Sequence, residues 1–372
     1  MPLRILYFAG THGDWGGASR VLFTNLALFD RDRFEPVVAL TQEGPARERL
    51  RGMGIRCEIW GPMTELRSPL AYTRAVARTA WWLKRNGIDV VHHNRANDWR
   101  PAEHLAAKLA GLPSVTHFHM VNHDRTPATR MSTAIVAVSR FVAEHSDTLG
   151  VPVHVIHNAV DVNRFSAGKD IRAALGLPPD AVVITFAGEI RRIKGIDTFL
   201  AAAGQVRAPH VRFLIAGGCR AGPGIDDAYT EEELKASIGA DGRIIYAGYR
   251  SDMPDVYRSS DVVVMASRCE EAFGLIAIEA GAARRPVIAT RVGGMPEVIV
   301  DGETGVLVPP EDPAALAERI QRLVGSPEAR LALGEAAYGR VAAEFTTRPV
   351  RELERLYVSL AGRRAMTATR RP

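Results

Sequence analysis

The sequence predicts an α/β chain of two doubly wound parallel-sheet domains, and three observations carry that prediction. Short apolar runs alternate with longer Ala-, Leu- and Glu-rich stretches from end to end, the pattern of βαβ units. The 372 residues exceed one ordinary core and suit two domains of about 150–200 residues. A break near 165–180 separates one such series from the next.

In the first series the expected strands are RILYFAG (4–10), PVVAL (36–40), a stretch near 55–59, DVVHH (89–93), SVTHF (114–118), AIVAVS (134–139) and VHVIHN (153–158). The break runs through Phe165, Gly168 and Lys169, and GLPPD (176–180) opens the second series. Its strands are AVVITFAG (181–188), VRFLIAGG (211–218), RIIYAGY (243–249), DVVVMAS (261–267), PVIATRV (286–292) and GVLVPP (305–310). The expected domains are therefore 1–168 and 169–345, followed by a final helix near 346–361 and a basic, mobile tail at 362–372. Two such domains leave a cleft between the carboxyl ends of their sheets, where ligands of α/β folds bind.

Composition narrows the function classes. Apolar (47%) and charged (24%) fractions are ordinary for a globular protein. No uncharged apolar run is long enough to span a bilayer, and MPLRILYFAG reads as a buried strand rather than a leader. Cys57, Cys219 and Cys269 form no CxxC pair, which speaks against a disulfide framework or structural zinc and for a reducing cytosol. A net charge of +5 allows anionic ligands or an acidic membrane surface and is too small for a dedicated nucleic-acid binder.

Four loops at strand ends carry chemistry. After 4–10, THGDWGGASR sets Gly16 and Gly17 at a helix start, where free N–H groups attract anions; the spacing is not GxGxxG. After 181–188, GEIRRIKG crowds Arg191, Arg192 and Lys194 into one turn suited to a diphosphate. After 261–267, CEEAFGLIAIEAG places Glu270 and Glu271 before a helix start and Glu279 about two turns inside. A carboxylate in that apolar run needs a partner, and a ribose diol supplies two donors. The fourth is HFH (117–119), beside His92 and His93 on the neighbouring strand. Adjacent strand residues point to opposite faces, so a four-ligand metal site is not expected.

Together these loops resemble the retaining nucleotide-sugar glycosyltransferases of family 4, over nearly the whole chain. EEAFGLIAIEA matches that family's E-x7-E pattern with Glu271 and Glu279 as its ends. VIHNAVDVNRF (155–165), GEIRRIKG (188–195), YAGYRSDMPDVYRSSDVVVMAS (246–267) and RVGGMPEVIVDGETGVLVPPEDPAAL (291–316) follow the family's order. The resemblance implies the GT-B fold: two facing Rossmann-like domains, an interdomain cleft, and a C-terminal crossover helix that rejoins the first domain.

It also implies roles. Glu279 would bind ribose hydroxyls, Glu271 hydroxyls of the transferred sugar, and the backbone of Phe273, Gly274 and Leu275 the sugar or phosphates. Lys194 with Arg191 or Arg192 would neutralise the diphosphate, and Gly16 and Gly17 would close over it. The base would lie near Gly248, Tyr249 and Arg250, with Asn158 of the HNAVD stretch also on the substrate side. His119 would touch the transferred sugar, His117 being the second choice. The family's G-R-L-x-x-x-K-G is broken by Glu189 in the arginine position, and Arg191 or Arg192 could supply that cation from the next positions. The implied chemistry is metal-independent, cofactor-free, retaining transfer of a hexose, UDP-sugar favoured, to a hydroxyl acceptor in glycolipid, polysaccharide or small-glycoside synthesis. A nucleotide-sugar epimerase and a non-catalytic nucleotide-sugar binder are the rival readings.

One further segment, 68–87, places Arg74, Arg78, Trp81 and Arg85 on one helical stripe opposite Tyr72, Val76 and Leu83. Such a stripe suits an anionic bilayer surface at the inner face of a membrane.

Overall fold

The computed structural model describes residues 1–9, 16–61, 68–94, 102–219 and 227–368, with side chains of the last helix as far as Gly362. The chain divides into two units, Met1–Ala159 with the segment from Thr347 onward, and Val160–Thr346.

In the first unit the strands are β1 (Leu3–Phe8), β2 (Phe34–Leu40), β3 (Arg56–Ile59), β4 (Val90–His93), β5 (Ser114–Phe118), β6 (Ala134–Ala137) and β7 (Val153–Val155). They pair in parallel in the order β3-β2-β1-β4-β5-β6-β7. Successive β1 residues serve opposite faces: Ile5 and Tyr7 join one apolar cluster with Leu22, Phe23 and Leu26, while Leu6 and Phe8 join another with Val76, Leu83 and Ala106. The order reverses between β1 and β4, where Phe8 pairs with His93. The carboxyl ends of these two strands thus mark the switch point where doubly wound sheets bind ligands.

In the second unit β8 (Val182–Ala187), β9 (Val211–Ala216), β10 (Ile244–Tyr246), β11 (Val262–Met265), β12 (Val287–Thr290) and β13 (Val306–Val308) pair in parallel in the order β10-β9-β8-β11-β12-β13. Here the reversal lies between β8 and β11, so the basic loop and the glutamate loop meet.

The junction falls earlier than the expected 168/169. The helix Val162–Ser166 belongs to the second unit because Phe165 packs 5.9 Å from Tyr257 and Lys169 N donates to Asp255 Oδ1 at 2.9 Å. The Pro/Gly punctuation at 176–180 is a turn inside that unit. The final helix is longer than expected, Thr347–Ala368, so 362–368 is helical rather than a loose tail. Arg, Ala and Met are good helix formers, and no proline interrupts them. Val350, Leu353, Tyr357 and Leu360 recur at helical spacing and enter the core of the first unit.

Candidate active site

At the switch point of the second unit, Lys194 Nζ meets Glu271 Oε1 at 2.6 Å, and Ser267 Oγ donates to the same oxygen at 2.5 Å. Burial alone would lower the Lys194 ammonium, but Glu271, with Cys269 and Glu189, outweighs it and the net shift is upward; Lys194 is charged at neutral pH. Both loops are pinned by backbone. Arg268 N donates to Ile193 O at 2.8 Å and Gly294 N to Glu271 O at 2.7 Å. A Cβ on Gly293, where φ is +52°, would sit 2.3 Å from that same oxygen.

The other two cations of the loop are not equivalent. Arg191 donates through Nε and a terminal nitrogen to Asp227 Oδ1 at 3.0 and 2.6 Å, and lies 3.7 Å from Glu189. Asp227 also accepts from Ile193 N at 3.1 Å, so Arg191 and Asp227 brace the loop's shape. The Arg191 hydrogen bond holds the Asp227 carboxyl below its ordinary range. Arg192 instead lies 4.3 Å over the Tyr229 ring, donates to its hydroxyl at 3.1 Å, comes within 3.9 Å of Glu233 and stays half exposed. Arg191 is thus engaged by Asp227 and Glu189, while the Arg192 side chain remains half exposed.

The helix Leu275–Ala282 follows Gly274, whose φ of +100° strains any residue bearing a Cβ and whose added Cβ would displace the tip of Met295. Phe273, 2% exposed, turns its ring inward against Phe345, 5.6 Å between centroids. Glu279 is 4% exposed and accepts from Tyr257 Oη at 2.9 Å, which satisfies the requirement that a buried carboxylate have a partner. Glu270 is exposed. Gly248 has φ +69° and its carbonyl accepts from Gly217 N at 2.9 Å; Tyr249 beside it is 70% exposed, while Arg250 is paired with Asp252.

In the first unit Gly16 has φ +93°, a backbone angle that calls for glycine, and no described residue lies within 4 Å of an added Cβ; Gly17 opens the helix Gly17–Leu28. Loop residues 10–15 lie outside the described residues. His119 Nε2 is 3.0 Å from Asn94 Oδ1, and its ring stacks on His117 at 4.1 Å. His117 Nδ1 faces His92 Nε2 at 3.2 Å, His92 Nδ1 faces Tyr357 Oη at 2.7 Å, and Tyr357 Oη faces Tyr7 Oη at 2.6 Å. Burial lowers all three histidines, His119 to about 4 and His92 to about 3, so the row is uncharged at neutral pH. His117, 3% exposed, is enclosed within this row, and His119 is its outer end. On the other face of β4, His93 stacks on His104 at 3.5 Å. Asn158 is 5% exposed, and its Oδ1 has no hydrogen-bond partner among the described residues.

Among the described residues no group of three or more His, Cys, Asp or Glu is arranged to hold a metal ion, and no helix is long and apolar enough to cross a membrane. On the helix Pro69–Arg85, Arg74, Arg78, Trp81 and Arg85 are exposed, with the Arg85 guanidinium 5.2 Å over Trp81, while Val76 and Leu83 are buried. Sequence reasoning missed Asn94, Ser267, Asp227 and Tyr257. Tyr257 and Ser267 both lie inside the motif YAGYRSDMPDVYRSSDVVVMAS (246–267), whereas Asn94 and Asp227 lie in none.

Solved glycosyltransferase structures share this fold. A glycosyltransferase from Rickettsia africae superposes with a TM-score of 0.84 at 23% identity, covering 96% of this chain and 98% of that one. Anabaena HepE, solved with UDP and glucose, gives 0.77 at 21%, covering 96% and 99%. The fold is GT-B. Family models described as Glycosyltransferase Family 4 and Glycosyl transferases group 1 match residues 15–164 and 181–326. A D-inositol 3-phosphate glycosyltransferase of Saccharomonospora viridis is 32% identical over 341 residues, 80% of this chain and 77% of that one. Its counterpart in Corynebacterium urealyticum is 34% identical over 230 residues, 59% of this chain and 54% of that one, so the match spans only about half of some relatives. The chain belongs to the family-4 glycosyltransferases.

Proposed function

We propose that the chain moves a hexose from a nucleoside-diphosphate sugar, UDP-sugar favoured, to a hydroxyl acceptor with retention and without a metal. The observation that carries this is the Lys194–Glu271 pair at the switch point of the second unit, one turn before a helix start. A cation and a carboxylate held 2.6 Å apart exchange each other for the two halves of a sugar diphosphate: Lys194 takes phosphate oxygen and Glu271 accepts sugar hydroxyls. The bond from the anomeric carbon to the phosphate oxygen breaks as the bond to the acceptor oxygen forms on the same face. The acceptor proton passes to a phosphate oxygen, and a nucleoside diphosphate leaves. Lys194, Arg192 and the N–H groups at 274–275 stabilise the growing negative charge. Glu279, held by Tyr257, takes ribose hydroxyls, and His119 takes a hydroxyl of the transferred sugar. The relatives' names make a phosphorylated cyclitol the first acceptor to try.

The test is nucleoside diphosphate release by the purified chain from a panel of nucleotide sugars, with and without acceptor, in chelator. Release that needs the acceptor and survives chelation is expected. Isomerised donor without release favours an epimerase, thermal stabilisation without turnover favours a binding module, and loss in chelator removes the metal-free mechanism.

The exposed Arg74, Arg78, Trp81 and Arg85 stripe fits an anionic membrane surface, with a lipid-linked acceptor as its corollary. Co-sedimentation with vesicles is expected to rise with their anionic lipid content; binding indifferent to lipid charge discards this part.

A further inference from the structure

We infer that Asn94 fixes the tautomer of His119, so that the atom His119 presents to a ligand is the bare Nδ1 lone pair, an acceptor for a sugar hydroxyl. The identity of that ligand rests on the function proposed above; the tautomer does not.

Asn94 follows β4 at the switch point of the first sheet, is 2% exposed, and is anchored by its own N–H donating to Phe8 O at 3.0 Å. Its side chain is held at both ends. Nδ2 donates at 3.3 Å to the carbonyl of Ala18, in the first turn of the helix Gly17–Leu28, and Oδ1 faces His119 Nε2 at 3.0 Å. A carbonyl can only accept, so the amide NH₂ must point to Ala18; flipping the amide would set two oxygens against each other. Oδ1 can likewise only accept, so Nε2 of His119 must carry the proton. With burial lowering the imidazole to about 4, the ring holds a single proton near neutrality, and Nδ1 is left bare. Among the described residues Nδ1 makes no hydrogen bond.

The titratable surroundings do not upset this assignment. Among the described residues they are His117 on β5, His92 on β4, Tyr7 on β1, and Tyr357 and Glu354 on the final helix. The histidines are held neutral and the tyrosines protonated by burial. Glu354 is paired with Arg351 and with Asp30 N. Asn94 therefore acts as a positioning residue: it couples the start of the glycine-loop helix to the hydrogen-bonding sense of His119.

Two measurements on the full chain test this. Long-range proton–nitrogen correlation of ¹⁵N-histidine-labelled protein, with His119 assigned by its loss in His119→Phe, is expected to show protonated Nε2 and bare Nδ1 at neutral pH. The opposite tautomer overturns the inference whether or not the chain binds a nucleotide sugar. The second uses Asn94→Asp, whose carboxylate faces Nε2 and stabilises the imidazolium, raising the His119 pKa. Protonation is favoured below that pKa and turns Nδ1 into a donor. The KM for the nucleotide sugar in Asn94→Asp is thus expected to rise about tenfold between pH 8 and pH 6, the loss of one hydrogen-bond acceptor, while the wild type stays flat. Parallel profiles overturn the inference. A wild type that binds no nucleotide sugar defeats the functional reading and leaves the tautomer to be decided by the spectrum.

Discussion

Lys194→Ala is expected to lower turnover about 100- to 1000-fold at saturating donor, the usual cost of deleting one preorganised group that meets charge developing in the transition state. Lys194 suits that role because its ammonium is held in place before any ligand arrives. Glu271 lies 2.6 Å away, and the loop behind it is braced by Asp227, which receives both Arg191 and Ile193 N. A preorganised charge does not have to be gathered at the moment of reaction, so its removal should appear mainly in kcat. The fold should tolerate the change. Glu271 keeps Ser267 Oγ as a donor and is partly exposed, so the stranded carboxylate costs about 1–2 kcal/mol. Steady-state kinetics with a urea melt of the same preparation separates the two effects. Turnover within threefold of wild type would remove Lys194 from the mechanism. Arg191→Ala should show the converse, because Asp227 then loses the partner that shapes the loop and the damage falls first on stability.

This division of labour marks where the sequence stops being legible. Most of the strands could be read because parallel strands buried on both faces are unbroken apolar runs, and the thirteen among the described residues, the less buried β3, β7 and β10 included, lie within or against the expected runs. The placement of Lys194 and Glu271 on loops at strand ends, and of Glu279 inside the following helix, could be read because their spacing within short motifs reflects the loops and helix turn that carry them. Asp227, Tyr257 and Tyr357 could not. Their partners Arg191, Glu279 and His92 are 36, 22 and 265 residues away, and ordinary residue types paired across a fold leave no local trace. The domain junction shows the same limit. Gly and Pro at 176–180 announce a turn, but the docking of Phe165 on Tyr257 assigns the preceding helix to the second unit. Arg191 and Arg192 are neighbours of one type, and only Asp227 and Tyr229 distinguish brace from binding candidate.

Gly195→Ala is expected to destabilise the second unit by several kcal/mol, a large share of the roughly 5–15 kcal/mol that holds a domain folded. Two costs combine. Gly195 has φ +73°, which charges a residue bearing Cβ about 1–2 kcal/mol. The new Cβ would also lie 1.8 Å from the Ala266 carbonyl oxygen and 2.6 Å from its carbon. These are backbone atoms at the end of β11 and cannot swing aside as a side-chain tip does. Relief requires the helix Ile196–Gln205 to move, which pulls the fully buried Ile196 and Phe199 out of register with their neighbours at about 1–3 kcal/mol. The same helix supplies the control. Gly204 has no described residue within 4 Å of an added Cβ and no positive φ, so Gly204→Ala should stabilise by about 0.5–1 kcal/mol through helix propensity. Urea midpoints for the pair should therefore move in opposite directions from the wild type. A Gly195→Ala midpoint equal to that of the wild type would mean that the loop does not approach β11 this closely, and the placement of Lys194 against Glu271 would fall with it.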